Sequence, residues 1–231
     1  MLKIAVITVS LLCLSGASFA AERTTTPAPR PLDLFDIGAP SFTNFSPRDG
    51  VPDTVTVATA VDRDGFVWLA SPAGVFRYDG RRWSPSTDPA MAHPADSLAI
   101  DAQGTLWAAF RDDGLARYDG AHWHVENRLS DLPSQQIRRF AGMREGDGSE
   151  TLWALTWDQG LMVRKDGRWL LDPDNAQLPQ GALLSMAQTF NLGGHERQWV
   201  GTGNAGLWFR ERRPGVHTEW QRFHAEGFDP A

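Results

Sequence analysis

Four tryptophans, Trp68, Trp107, Trp153 and Trp199, stand 39, 46 and 46 residues apart, and each heads the same short phrase. A glycine follows six or seven residues later, at Gly74, Gly114, Gly160 and Gly206, with an aliphatic residue directly after it, Val75, Leu115, Leu161 and Leu207. A second tryptophan arrives 15, 16, 16 and 21 residues after the first, at Trp83, Trp123, Trp169 and Trp220. Three registers that agree over four copies define an internal repeat with a period of roughly 40 to 50 residues.

Within each copy the apolar runs are short. Phe66-Val67-Trp68-Leu69-Ala70 and Thr105-Leu106-Trp107-Ala108-Ala109 are too brief for helices and are bounded by turn residues, so they read as buried strands. The glycine after each run suits a tight hairpin into a next strand such as Gly74–Tyr78. That strand runs into Asp79-Gly80, with Asp119-Gly120 and Asp166-Gly167 in the later copies. Asp-Gly between strands predicts a hairpin whose two central residues take positive φ. The run ahead of each tryptophan, such as Thr54–Ala60 or Leu183–Thr189, brings the count to four strands per unit. This is the signature of a propeller blade. One four-stranded sheet cannot bury both its faces, so blades stack, and the indole rings are expected to fill the space between neighbours.

The ends carry different information. Residues 1–20 hold one charge, Lys3, then an apolar stretch from Ile4 to Leu14, and finish in Ser18-Phe19-Ala20. They read as a secretory signal peptide, too short and too interrupted for a spanning helix. Cys13 is the only cysteine and lies inside this leader, so the secreted chain relies on a packed core rather than on disulfides. Removal of Lys3 moves the formal charge from −6 to −7 (−6 − 1). Such a balance argues against a nucleic-acid partner. Residues 21–40 are rich in Pro, Thr and Ala and read as an extended linker. The expected organisation is signal peptide 1–20, linker 21–40 and partial propeller 41–231, with repeats at about 45–88, 89–128, 129–176 and 177–225.

The repeat resembles the two-component regulator propeller repeat, found in the periplasmic sensor region of bacterial histidine kinases, hybrid kinases and diguanylate cyclases. The resemblance rests on Asp62-Arg63-Asp64-Gly65-Phe66-Val67-Trp68-Leu69-Ala70 with Gly74-Val75-Phe76-Arg77-Tyr78-Asp79-Gly80 and Trp83. The second copy repeats it with Asp101, Gly104, Leu106-Trp107, Gly114-Leu115, Arg117-Tyr118-Asp119-Gly120 and Trp123. Phe45-Ser46-Pro47-Arg48-Asp49-Gly50-Val51-Pro52 is similar to the phrase that opens such regions, and Leu132-Pro133 and Leu178-Pro179 are reduced versions of it. What the resemblance implies is an all-β, seven-bladed type of propeller of which about four four-stranded blades are present. It also implies a ligand-sensing role upstream of a membrane span and an output domain. The segment Phe223–Pro230 is similar to the opening of another repeat, so the expectation is a truncated sequence. A closed four-blade propeller is the alternative.

No catalytic residue, cofactor or metal site is assigned from the sequence, and the ligand-binding residues are left unknown. Gly201-Thr202-Gly203-Asn204-Ala205-Gly206 spells a dinucleotide fingerprint, but it occupies the hairpin register and is followed by a strand. His122 and His124 share a strand face without a third ligand, and Asp62-Arg63-Asp64-Gly65 lacks the later acidic ligand of a calcium loop, so a surface pair and a capped turn are expected. The longer segments at Glu145–Ser149 and Glu211–Gly215 are loops of the kind that repeat proteins use for binding. The expected partner is a small-molecule or glycan-like ligand near the central axis or on a loop-bearing face. Membrane contact would come only through a span outside this chain, and a sensor-kinase context would imply a homodimer. The chain itself is expected not to be an enzyme; a kinase or cyclase domain would belong to the intact protein. The alternatives are a free-standing periplasmic binding or scaffold protein, and a carbohydrate-active propeller enzyme.

Overall fold

A computed structural model describes residues 43–127, 131–145, 148–190, 195–212 and 218–224. The signal peptide and the linker lie outside the described residues, as do parts of the Glu145–Ser149 and Glu211–Gly215 loops. Among the described residues no helix is long and apolar enough to cross a membrane.

Among the described residues sixteen strands form four antiparallel sheets of four, each in chain order. Blade 1 holds β1 (Ala58–Val61), β2 (Val67–Ser71), β3 (Gly74–Tyr78) and β4 (Trp83–Pro85). Blade 2 holds β5 (Ala95–Ile100), β6 (Leu106–Phe110), β7 (Gly114–Tyr118) and β8 (Trp123–Glu126). Blade 3 holds β9 (Ile137–Arg144), β10 (Glu150–Thr156), β11 (Leu161–Lys165) and β12 (Arg168–Leu171). Blade 4 holds β13 (Leu183–Phe190), β14 (Glu196–Thr202), β15 (Leu207–Arg212) and β16 (Gln221–Arg222). The first strands β1, β5, β9 and β13 lie against one another in sequence, which makes an open array of propeller blades.

The repeat register becomes chemistry at the second strand. Its tryptophan always pairs with an alanine of the first strand: Ala60, Ala99, Ala141 and Ala187. Two residues beyond that alanine stands the group that meets the indole N–H. Asp101 accepts from the amides of Gln103 and Thr105 with Oδ1 and from Trp107 Nε1 with Oδ2 at 2.8 Å. Asp62 does the same for Asp64, Phe66 and Trp68. The expected capped turn is thus also a lock on the ring. Thr189 takes this role for Trp199 in blade 4, at 2.8 Å. In blade 3 the position is Met143, and Trp153 Nε1 is buried without a partner.

The rings fill the junctions between sheets. Trp68 lies 5.6 Å from Trp123 and Trp107 lies 5.5 Å from Trp169, both pairs edge to face at 87°. Trp153 and Trp220 share the third junction's core. A residue from the third strand lies against the preceding blade's tryptophan at each junction: Tyr118 on Trp68 at 5.1 Å, Arg164 on Trp107 at 4.4 Å, and Arg210 on Trp153 at 5.6 Å, with Arg210 also 4.6 Å from Trp220 of its own blade. Aromatic and cation–π contacts therefore serve the same place in the repeat. Arg210 is 7% exposed and is held by Asp172 at 2.7 Å and Asp174 at 3.0 Å, across the blade 3–blade 4 junction.

Two hairpins differ from the expected Asp-Gly turn. In blade 3, Lys165 pairs with Arg168 around Asp166 (φ 48°) and Gly167 (φ 77°), which is the expected two-residue turn. In blades 1 and 2 the pairs are Tyr78 with Trp83 and Tyr118 with Trp123, so four residues form the loop and only the glycine has positive φ. The aspartate there accepts amide hydrogen bonds instead. Asp79 Oδ1 takes those of Arg81 and Arg82, and Asp119 Oδ1 those of Ala121 and His122.

Candidate functional site

The first strands of blades 2, 3 and 4 are each interrupted by a β-bulge at the same place. The register with the second strand slips between Ala95 and Ser97, between Ile137 and Arg139, and between Leu183 and Ser185. The extra residues are Asp96, Arg138 and Leu184. A bulge bends a strand and re-aims the side chain it carries, and such features concentrate beside binding sites. Here they stand at the same end of the array as the hairpins that join second to third strands.

In blades 2 and 3 the bulged side chain meets the residue four positions after the repeat tryptophan. Arg111, just beyond β6, donates from Nε to Asp96 Oδ2 at 3.0 Å and from Nη2 to Oδ1 at 2.9 Å. This two-pronged contact raises the Arg111 pKa above its ordinary value. In blade 3 the same two positions hold Arg138 and Trp157. The guanidinium lies over the indole at 4.2 Å, and Trp157 remains 36% exposed. Arg138 Nε is buried and makes no hydrogen bond among the described residues. The two pairs belong to adjacent blades whose first strands are tied by the Phe140 amide donating to Ser97 Oγ at 3.2 Å.

The blade 3 hairpin is built to hold Trp157 in place. The Trp157 amide donates to the Gln136 carbonyl at 2.9 Å. Buried Ser134 donates its hydroxyl to Asp158 at 2.5 Å, and Thr156 donates to the Gly160 carbonyl at 2.9 Å. An exposed aromatic face on a hairpin fixed at several points, with a guanidinium stacked on it, can take a planar or ring-shaped polar ligand. Arg111 and Asp96 supply fixed donors and acceptors one blade away.

The residues weighed in the sequence fall elsewhere. Gly201–Gly206 is the β14–β15 hairpin, closed by Thr202 Oγ1 on the Gly206 carbonyl at 2.8 Å. His124 Nε2 sits 2.6 Å from Asp119 Oδ2. Hydrogen bonds to Asp119, first from the His122 amide and then from the His124 ring, hold its carboxyl well below the usual aspartate range. Among the described residues no three His, Cys, Asp or Glu side chains gather as a metal site would require. A groove of about 610 Å³ runs along the rim between blades 2 and 3, lined by Arg117, Glu126, Arg168 and Trp169 among others. Burial raises the Glu126 carboxyl pKa there.

Sequence reasoning missed the Arg138–Trp157 pair. The signal was present: eight of the ten tryptophans obey the two repeat registers, and Trp157 and Trp208 do not. Of these two, Trp208 packs into the third junction's core and Trp157 stays at the surface. The bulge that aims Arg138 has no sequence marker.

The fold has solved counterparts. The extracellular domain of the hybrid two-component system BT3049 of B. thetaiotaomicron superimposes with a TM-score of 0.62 at 17% identity, over 79% of this chain and 26% of that one. The extracellular domain of the one-component system BT4673 of the same organism gives 0.54 at 20% identity, over 75% and 22%. This chain therefore spans about a quarter of the length of those domains. The likeness establishes a β-propeller architecture. No protein-family model matches the chain, and no curated protein matches it in sequence.

Proposed function

We propose that this chain is a ligand-sensing region of an extracytoplasmic propeller in a bacterial signal-transduction protein, of the histidine kinase or diguanylate cyclase type. The ligand binds at the bulged ends of the first strands of blades 2 and 3. The observation that carries this reading is the pair of contacts built at one repeat position, Asp96 with Arg111 and Arg138 with Trp157. Positions that a purely structural repeat would leave alike in every blade instead hold different polar and aromatic groups, aimed by bulges. The fold shared with extracellular domains of sensor systems supports the same reading. A small-molecule or glycan-like ligand bridging the two pairs would change how blades 2 and 3 sit against each other. That shift is what a membrane-bound output domain would receive.

The test is a thermal-shift screen of the secreted chain with mono- and oligosaccharides, amino acids and dicarboxylates. A ligand at 100 times its Kd stabilises by about 2.7 kcal/mol, which is readily seen. The expected result is a stabilising compound whose effect is lost in Trp157→Ala and Arg138→Gln while the unliganded Tm hardly moves. A stabilising ligand indifferent to both changes would refute this site.

A further inference from the structure

The bulged ends of β5 and β9 handle charge in opposite ways. In blade 2 the bulge carries an acid, Asp96, and Arg111 neutralises it through hydrogen bonds at 3.0 and 2.9 Å. In blade 3 the bulge carries a base, Arg138, and the position that matches Arg111 holds Trp157, 4.2 Å away. Blades 1 and 4 have Pro72 and Gly203 at that position, and the bulge of blade 4 holds Leu184, so neither places a charge there.

Arg138 therefore keeps its charge. An indole face attracts a cation but accepts none of the five N–H bonds that a guanidinium donates in its own plane. Other guanidinia on tryptophan rings find their acceptors within the chain. Arg164 donates to the Gly167 carbonyl at 3.3 Å, Arg197 to Glu211 at 2.9 Å and Arg210 to Asp172 at 2.7 Å. Among the described residues that stack a guanidinium on tryptophan, only Arg138 leaves a buried N–H without an acceptor. An acid is at hand, since Asp158 directly follows Trp157. Its Oδ1 takes the Ser134 hydroxyl at 2.5 Å and its Oδ2 the Gln159 side-chain amide at 3.4 Å. The hairpin thus carries a carboxylate and commits it elsewhere, and Arg138 has no ion pair among the described residues.

We infer that the ligand of this site is a ring-bearing carboxylate, its acid group received by Arg138 and its ring laid against Trp157. This deepens the sensing proposal and rests on it. A carboxylate lies in the plane of a guanidinium and accepts two parallel charge-assisted hydrogen bonds, which an indole cannot do. Arg111 does not compete for the acid, because Asp96 already offsets its charge and fills one edge of its guanidinium. Uronic acids and small aromatic acids share this chemistry.

Calorimetric titration of the secreted chain with galacturonate, its oligomers and phenylacetate, each beside its methyl ester, separates charge from shape. The ester keeps the ring and loses the charge. At least one acid should bind about ten- to a hundredfold more tightly than its ester, and the preference should shrink as salt is raised. Arg138→Gln should bring that acid down to the level of its ester. Arg139→Gln removes the same charge one residue along β9 and should leave the preference in place. Trp157→Ala should weaken acid and ester alike, and an unchanged unliganded Tm shows that each variant folds. Binding by the uronates assigns the ring to a glycan, and binding by phenylacetate to a small aromatic acid; either supports the inference. Failure of every acid to bind overturns it, as does a preference lost in Arg139→Gln but kept in Arg138→Gln. Esters that bind as well as the acids and are lost in Trp157→Ala also overturn it, while leaving the site in place. An acid whose binding ignores both Arg138→Gln and Trp157→Ala removes the site itself, and the inference with it.

Discussion

At the scale of single residues, six of the eight repeat tryptophans divide into two kinds that follow their register in the repeat. Trp68 and Trp107 give their indole N–H to a repeat aspartate, whereas the buried Nε1 atoms of Trp83, Trp123, Trp169 and Trp220 have no hydrogen-bond partner among the described residues. The second kind supplies only apolar area, and the first also satisfies a carboxylate that organises a turn. Trp107→Phe should therefore cost about 2–4 kcal/mol, since it removes packing and leaves one oxygen of a 9% exposed aspartate unpaired. Trp123→Phe should cost about 1–2 kcal/mol less than that, because it removes an unpaired donor along with its packing. Urea denaturation of the two variants checks this, and equal losses would mean that the Asp101 contact adds nothing beyond shape.

At the scale of strands and turns, the repeat glycine shows why one position in each hairpin admits no side chain. Gly114 has φ 83°, and a Cβ there would lie 2.5 Å from the Glu126 carbonyl oxygen, because the connector to blade 3 passes directly over the hairpin. Gly80 has φ 91° but nothing near its Cβ position. Gly80→Ala should cost only the backbone term of about 1–2 kcal/mol. Gly114→Ala must also displace a backbone carbonyl and should cost clearly more, as a Tm comparison will read. The strands and these glycines were legible in the sequence because strand burial and turn sterics are local and repeat four times. Two features were not. The Asp-Gly turns of blades 1 and 2 widened to four residues because Asp79 and Asp119 can cap following amides, a choice that Asp-Gly spelling leaves open. The bulges that aim Asp96 and Arg138 arise from pairing between strands, so single-strand patterns carry no trace of them. That is why the blades could be counted from tryptophan spacing while the candidate site could not be located.

At the scale of the whole molecule, the main contacts between sheets run from each blade to its sequence neighbour, so stability is distributed along a line rather than held in one centre. Blades 2 and 3 are covered on both faces by sheets, and β6 and β10 lie among the most deeply buried strands. Among the described residues blade 4 is covered on one face only, and β15 is partly exposed over most of its length. Its attachment to blade 3 is completed by Arg210, whose guanidinium reaches Asp172 and Asp174 across the junction and donates from Nε to Gln198 Oε1 at 2.9 Å. Such a buried pair adds little net energy compared with an apolar contact, but removing one partner strands the other and costs about 3–5 kcal/mol. Arg210→Met leaves the buried Asp172 carboxylate without the Arg210 cation, and the relief open to the chain is for blade 4 to peel away and hydrate it. Hydrogen exchange in the native protein should already rank β15 as faster than β6 and β10. In Arg210→Met, β13 to β15 should approach unprotected rates while β6 and β7 keep theirs, because blade 2 never touches the broken junction. If all four blades lose protection together, the array unfolds as one cooperative unit, and the buried cluster is not a local latch.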